Sequence, residues 1–237
     1  MNAIELPYSS VELPRNIPGV KFLRFMFTQR IWGFSIQETP HFDSQRSTDY
    51  FSEKLRNCRY YLEFGSGGST CLAAKLGKPF TVVESDPVFL KAVRNKIKIK
   101  GLLNQSNQNF IHANIGMTES WGKPVIIFTP SINRLDAFRK YSDFPVRPSG
   151  PDGLPDLILV DGRFRVACAL KAFRALRNQE NWTLIVDDYA NRPNYHVLEK
   201  FAKLERRVGR MAVFDEVIPG QEDKLAATIE RYVHDSR

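Results

Sequence analysis

From Arg59 onward the chain alternates short, almost wholly apolar runs with longer amphipathic ones. "RYYLEFG", "PFTVVES", "QNFIHANIG", "DLILVDG" and "WTLIVDDY" are short runs rich in Val, Ile, Leu, Phe and Tyr, bounded by Gly, Pro, Asp or Asn. Such runs read as strands buried on both faces. Between them "SGGSTCLAAKLG" reads as a loop and helix ending at Gly77, "DPVFLKAVRNKIKIKG" as a helix capped by Asp86 and stopped at Gly101, and "RFRVACALKAFRALRN" as a helix. "YHVLEKFAKLERRVG" carries a helical pattern, and "RMAVFDEVI" and "LAATIERYV" read as a closing strand pair around Pro219-Gly220. Strands and helices in this alternation predict an α/β fold, doubly wound, with a mostly parallel sheet covered on both faces and a C-terminal antiparallel strand pair.

The N-terminal quarter lacks this alternation. Residues 1–19 hold Pro7, Pro14 and Pro18 and read as an irregular arm. "VKFLRFMFTQRIWGF" puts Lys21, Arg24 and Thr28 on one stripe of a helix whose remaining face is broadly apolar. That face needs cover, from its own domain, from a second copy in a homodimer, or from a membrane interface. A further helix, "TDYFSEKLRN", is expected with Ser47 as its cap. The division expected is an arm with helices over 1–57 and an α/β domain over 58–237. The Pro-, Gly- and aromatic-rich segment 117–155, with Trp121, Tyr141 and Phe144, is expected to be an insertion shaping an acceptor pocket.

Composition narrows the class. With 43% hydrophobic and 25% charged residues the chain reads as a soluble globular protein. Its 34 Lys+Arg against 26 Asp+Glu, a net charge of +8, bias it toward anionic partners. The basic run Lys91, Arg94, Lys96, Lys98 and Lys100 lacks interleaved stacking aromatics, so it reads as a solvated helix face and makes a nucleic-acid partner unexpected. The scattered thiols Cys58, Cys71 and Cys168 form no CxxC pair, which excludes a disulfide framework and a zinc site of that type. The acidic, proline-containing N-terminus is unlike a signal peptide, and no apolar run reaches the roughly 20 residues of a membrane span, so a cytoplasmic location is expected.

Candidate chemistry begins at "YLEFGSGGST", where a strand ends in Glu63 and passes at once into glycines. In open α/β sheets ligands bind at the carboxyl ends of strands, and the next strand ends at Glu84, placed to accept the hydroxyl hydrogens of a ribose. A dinucleotide GxGxxG loop would need glycine where Thr70 stands, and no GxxxxGK[ST] phosphate loop occurs. Glu63, two residues before the first glycine, suits a ligand with positive charge better than a phosphate. "LEFGSGGST" followed by "VVESD" resembles motifs one and two of class I S-adenosylmethionine-dependent methyltransferases, over roughly Arg59 to the C-terminus. The resemblance implies a Rossmann-like, seven-stranded sheet with S-adenosylmethionine as cofactor. It places Gly65 to Gly67, with Glu63, Ser66, Ser69 and Thr70, around the methionine part, Glu84 and Ser85 at the ribose, and Asn114 near the adenine.

Methyl transfer to a hydroxyl requires the acceptor to be aligned and its proton removed. "ILVDGRFR" sets Asp161 at the tip of the fourth strand, a candidate cofactor ligand and catalytic group. "LIVDDY" sets Asp187 and Asp188 at the tip of the fifth. Carboxylates on neighbouring tips repel unless a proton, an arginine such as Arg163, Arg165 or Arg192, or a cation intervenes. The DG…DDY pattern is similar to that of metal-assisted small-molecule O-methyltransferases, which implies Mg²⁺ at Asp161, Asp187 and Asp188. It departs from the catechol-type pattern, with Asp188 where Asn is expected and arginines where lysine is. Tyr195 and His196 open the helix expected after "DDYANRPN", within reach of an acceptor, whereas His112 lies inside a strand. "DGRF" stands where amino-group methylation of bases would require NPPY or DPPY. The function expected is O-methylation of a small molecule or sugar, with RNA methylation and a non-catalytic binding module as the alternatives.

Overall fold

The computed structural model describes residues 19–31, 33–145 and 153–237, so nearly all of the proline-rich arm lies outside the described residues. Helices α1 (Val20–Ile31) and α2 (Gln45–Asn57) precede β1 (Tyr61–Phe64), α3 (Gly68–Lys75), β2 (Phe80–Glu84), α4 (Pro87–Ile99) and β3 (Gln108–His112). A small hairpin of β4 (Thr118–Glu119) and β5 (Lys123–Pro124) leads to α5 (Ile132–Tyr141), β6 (Leu157–Val160), α6 (Arg165–Leu176) and β7 (Thr183–Val186). The chain closes with β8 (Ala202–Val208), β9 (Met211–Val217) and α7 (Glu222–Tyr232).

Seven strands form one sheet in the order β3-β2-β1-β6-β7-β9-β8. The first five run parallel, and β9 pairs antiparallel with both β7 and β8. Alternate residues of the central strands feed two cores. Leu62, Phe64, Ile158, Val160, Leu184 and Val186 face α6, whereas Tyr61, Phe80, Val82, Leu157, Leu159 and Ile185 face the side covered by α2, α3 and α4. Burial on both faces is why these strands read as unbroken apolar runs. Strand order reverses between β1 and β6, which makes their carboxyl ends the natural ligand crevice.

Local signals explain several boundaries. Asp86 caps α4 by accepting from the N–H groups of Val88 and Phe89 at 2.9 and 3.0 Å. For α2 the cap is Ser44, which accepts from Ser47 N–H at 3.2 Å, three residues earlier than expected. α1 docks through buried Gln29 toward Asp86, yet Val20, Leu23, Phe27 and Ile31 stay exposed.

The C-terminal antiparallel pair keeps "RMAVFDEVI", which is β9, but takes its partner from a different segment than the sequence pattern suggested. The helix expected from Tyr195 ends as a 3₁₀ turn at Lys200, and "AKLERRV" is strand β8. It pairs with β9 along its length, burying Ala202 and Val208 while Lys203, Arg206 and Arg207 face solvent, as on an edge strand. "LAATIERYV" is helix α7 rather than a strand, because Leu225, Ile229 and Val233 recur every four residues and are buried beside α6. Of the expected insertion 117–155, residues 146–152 lie outside the described residues, and the part before them holds the β4–β5 hairpin and α5. Phe138 and Tyr141 of α5 are fully buried in the main core, Phe144 packs against it, and Trp121 projects into solvent.

Candidate active site

The three glycines after β1 meet three different surroundings. Gly65 has φ +104°, and a Cβ there would come 2.9 Å from the backbone nitrogen of Gly162, so the loops after β1 and β6 cross backbone to backbone. At Gly68 a Cβ would come 2.0 Å from the carbonyl oxygen of Thr39, so α3 starts under the incoming N-terminal segment. Only Gly67 looks onto open space. The loop is braced from below by Glu63, which accepts from the hydroxyls of Ser69 and Thr70; the Thr70 bond measures 2.7 Å. Thr70 Oγ1 in turn accepts from Gly67 N–H at 3.1 Å. Burial pushes the Glu63 carboxyl up to about 8, against the pull of these hydroxyls. Glu63, Ser69 and Thr70 are all buried, so their direct work is to fix the shape of the loop.

Glu84 ends β2 and is also buried. Its Oε1 accepts from Ser85 N–H at 2.7 Å, Asp86 N–H at 3.0 Å and Ser85 Oγ at 3.1 Å, while Oε2 accepts from Ser66 Oγ at 2.9 Å. Burial raises its pKa, opposed by these donors. Oε2 therefore keeps acceptor capacity on the side of the glycine loop. Ser85 also donates to the carbonyl of Gly122 at 3.2 Å, which seats the turn between β4 and β5 on the β2 tip. Asn114 follows β3 on an exposed turn, its Oδ1 accepting from Gly116 N–H at 3.0 Å.

The tips of β6 and β7 are organised by arginine. Buried Arg165 donates to the carbonyls of Gly162, Asp187 and Asp161 at 3.0, 2.7 and 3.0 Å, and pairs with Asp161 Oδ1 at 3.0 Å and Asp188 Oδ2 at 3.2 Å. Arg210 grips Asp187 through Nε and Nη2 at 3.0 and 2.9 Å and meets Asp188 Oδ1 at 3.0 Å. Arg192 adds a bond to Asp188 Oδ2 at 2.9 Å. Asp161 differs from the pair on β7: its side chain is 38% exposed, and among the described residues nothing pairs with its Oδ2. Burial, reinforced by Asp187 and Asp188 and opposed by Arg165, lifts its pKa to about 6.

The Mg²⁺ site expected at Asp161, Asp187 and Asp188 finds no support in this arrangement. Each carboxylate is already matched by a guanidinium, which relieves the repulsion a divalent ion would otherwise relieve. Among the described residues no group of three His, Cys, Asp or Glu side chains is disposed to hold a metal. The residue types fit S-adenosylmethionine: Gly67 looks onto open space, Glu84 Oε2 accepts from Ser66 of the glycine loop and keeps further acceptor capacity, and the Asp161 side chain is 38% exposed.

The sequence-derived set is thus only partly gathered. His196 stacks on Tyr189 at 5.0 Å, and Tyr195 is buried with its hydroxyl accepting from Arg192 at 3.0 Å. His112 is exposed, its Nε2 lying 3.2 Å from the carbonyl of Ser85. Arg210, which arrives from the β8–β9 hairpin, carried no local signal, whereas Tyr141, expected at an acceptor pocket, is buried in the main core with its hydroxyl accepting from Arg163 N–H at 3.1 Å. The basic run is partly neutralised, with Glu38 pairing Lys96 and Lys100 at 3.1 and 2.8 Å.

No protein-family model matches the chain, and no curated protein does. Among solved structures, a methyltransferase-like protein from Silicibacter pomeroyi is 30% identical, covers 81% of this chain and 98% of its own, and has a TM-score of 0.63. An SAH-bound methyltransferase from Podospora anserina is 14% identical over 85% of this chain and 89% of its own, at a TM-score of 0.45. A methyltransferase from Geobacter sulfurreducens is 11% identical over 86% and 90%, also at 0.45. With the seven-stranded order, the glycine loop at its switch point and a relative at 30% identity along nearly its whole length, the chain belongs to the class I S-adenosylmethionine-dependent methyltransferase family.

Proposed function

We propose that the protein transfers a methyl group from S-adenosylmethionine to a hydroxyl of a small molecule or sugar. The observation that carries this reading is Asp161, a part-exposed carboxylate beside the glycine loop whose Oδ1 is fixed by Arg165 while Oδ2 has no partner among the described residues. When bound, the cofactor would supply a methyl on a sulfonium sulfur, the S–C bond breaking as the acceptor O–C bond forms so that neutral S-adenosylhomocysteine is the leaving group. Asp161 Oδ2 receives the hydroxyl proton as the oxygen–carbon bond forms, and a carboxyl with pKa about 6 is ionised at neutral pH and ready for that role. Arg165 holds the carboxylate at one rotamer, which keeps the proton acceptor aligned with the attacking oxygen. Glu84 and Ser66 are assigned to the ribose, Gly65 and Gly67 to the methionine part, with Ser85 and Asn114 toward the adenine. Residues 58–237 form the catalytic unit in this reading, and 117–155 its acceptor-facing part, in a cytoplasmic enzyme.

The test has two stages. Calorimetry should detect S-adenosylhomocysteine binding in the micromolar range. Labelled S-adenosylmethionine offered with a panel of hydroxyl acceptors and with RNA should then deliver label to a small molecule. Asp161→Asn should lower that transfer by about 10²-fold or more, the range of general-base catalysis, while leaving cofactor affinity intact. Label appearing in RNA, or transfer undiminished in Asp161→Asn, would refute the reading.

A further inference from the structure

We propose that Arg163 forms an anion subsite in the acceptor crevice, so that the methylated molecule carries a carboxylate or phosphate near its reacting hydroxyl. The inference rests on the methyltransferase reading above. Arg163 lies two residues after Asp161 and one after Gly162, whose backbone nitrogen would stand 2.9 Å from a Cβ at Gly65. Its backbone is therefore fixed between Asp161 and the glycine loop. Its backbone N–H donates to Tyr141 Oη at 3.1 Å, and its carbonyl lies 3.5 Å from Cys168 Sγ. The main chain is held; among the described residues no hydrogen bond or ion pair holds the side chain.

Among the arginines of the crevice Arg163 differs in one respect. Arg165, Arg192 and Arg210 pair with Asp161, Asp187 and Asp188, three cations with three anions. Among the described residues no carboxylate pairs with Arg163, and its Nε is buried with no hydrogen-bond partner. The guanidinium is thus a surplus positive charge, half-buried, in a cluster otherwise neutral. Burial and the neighbouring Arg165 and Arg192 push its pKa down, while Tyr141 and Tyr195 act in the opposite direction. A buried cation without a counter-ion destabilises a fold. A ligand anion would remove that cost, and a guanidinium fork matches a carboxylate or phosphate through paired N–H donors. The basic surface would add attraction at longer range.

Thermal-shift and calorimetric titrations of the full chain with inorganic phosphate and with benzoate, each with and without S-adenosylhomocysteine, test this. Wild type should bind one of the two anions, and which one separates a phosphate-bearing from a carboxylate-bearing acceptor. Arg163→Gln should weaken that binding by about tenfold or more and leave S-adenosylhomocysteine affinity within about twofold, which is less than 1 kcal/mol. Arg163→Lys should retain part of the anion binding, since it keeps the charge and loses the fork. Without ligand, Arg163→Met should melt above wild type, because an uncompensated charge has been removed; a purely structural arginine would give the opposite. S-adenosylhomocysteine binding with no anion binding, or anion binding equal in wild type and Arg163→Gln, overturns the subsite alone. Anion binding lost in Arg163→Gln, in a chain that never binds S-adenosylhomocysteine, supports the subsite and overturns the methyltransferase reading.

Discussion

At the tips of β1 and β2, Glu63 and Glu84 are surrounded by hydroxyl and amide donors; at the tips of β6 and β7, Asp161, Asp187 and Asp188 are met by guanidinium groups. Neutral donors orient a carboxyl without cancelling its charge, so burial still dominates and both glutamates are pushed toward the protonated form. Guanidinium groups cancel the charge and lock the geometry. The first arrangement leaves acceptor capacity for a ligand, and the second spends it on holding two strand ends together. In the reading proposed above, the strand tips are thereby divided into a half assigned to the cofactor and a half built for rigidity, with Asp161 at the boundary.

The rigid half should be the more sensitive to disruption. Arg165→Met removes a cation that meets two aspartates and three carbonyls, and should destabilise by about 3–5 kcal/mol, the range for breaking a buried charge pair. Chemical denaturation would measure it; a loss below 1 kcal/mol would mean that the aspartates find other partners and that the division is overstated. In the recognition half, Glu84→Ala should weaken S-adenosylhomocysteine binding by about 1–3 kcal/mol through loss of charge-assisted hydrogen bonds. Equal affinity in calorimetry would remove Glu84 from the cofactor site.

The contrast also has a pH signature. The folded pKa of Glu63, about 8, lies above its unfolded value of 4.5. The folded state therefore holds a proton that the unfolded state has lost, and the resulting stability is full below 4.5 and is lost as pH rises through about 8. Glu84 and Asp161 are raised as well and act in the same direction. Melting followed from pH 5 to 8 should show a decline of at most about 1.4 kcal/mol per pH unit from each group, and Glu63→Gln should flatten it. A decline of the same slope in Glu63→Gln would assign the effect elsewhere. The smallest effect is expected from metal: because three arginines already neutralise the β6 and β7 tips, millimolar Mg²⁺ or EDTA should leave the melting temperature where it was. A rise with Mg²⁺ that disappears in Asp187→Asn would show that the arginine clamps yield to an ion.

How much of this was legible beforehand depends on the range of the interactions. Asp86 as the α4 cap, the glycine stops at 77 and 101, and the five parallel strands followed from patterns within a few residues. In the last forty residues only β9, expected from "RMAVFDEVI", followed in the same way. "AKLERRV" and "LAATIERYV" exchange their expected states because β8 forms only through pairing with β9, and α7 only by burying Leu225 and Ile229 beside α6. The same holds at the site. Glu63, Glu84 and Asp161 were visible as acids ending apolar runs, yet the partner that decides Asp187 is Arg210, 23 residues away on another strand pair.

The sequence alone determined the alternation of buried strands and helices, the position of the glycine loop at the end of β1, and the row of acids along the carboxyl edge of the sheet, since all of these rest on spacing and residue type in the local chain. Tertiary structure decided which glycine faces open space, which acids keep a free oxygen and which are closed by arginine. It also left Arg163 without a carboxylate among the described residues. Those outcomes depend on which groups distant in sequence are brought within 3 Å of each other, because burial and hydrogen bonding, rather than residue type, set whether a carboxylate or a guanidinium is available to a ligand.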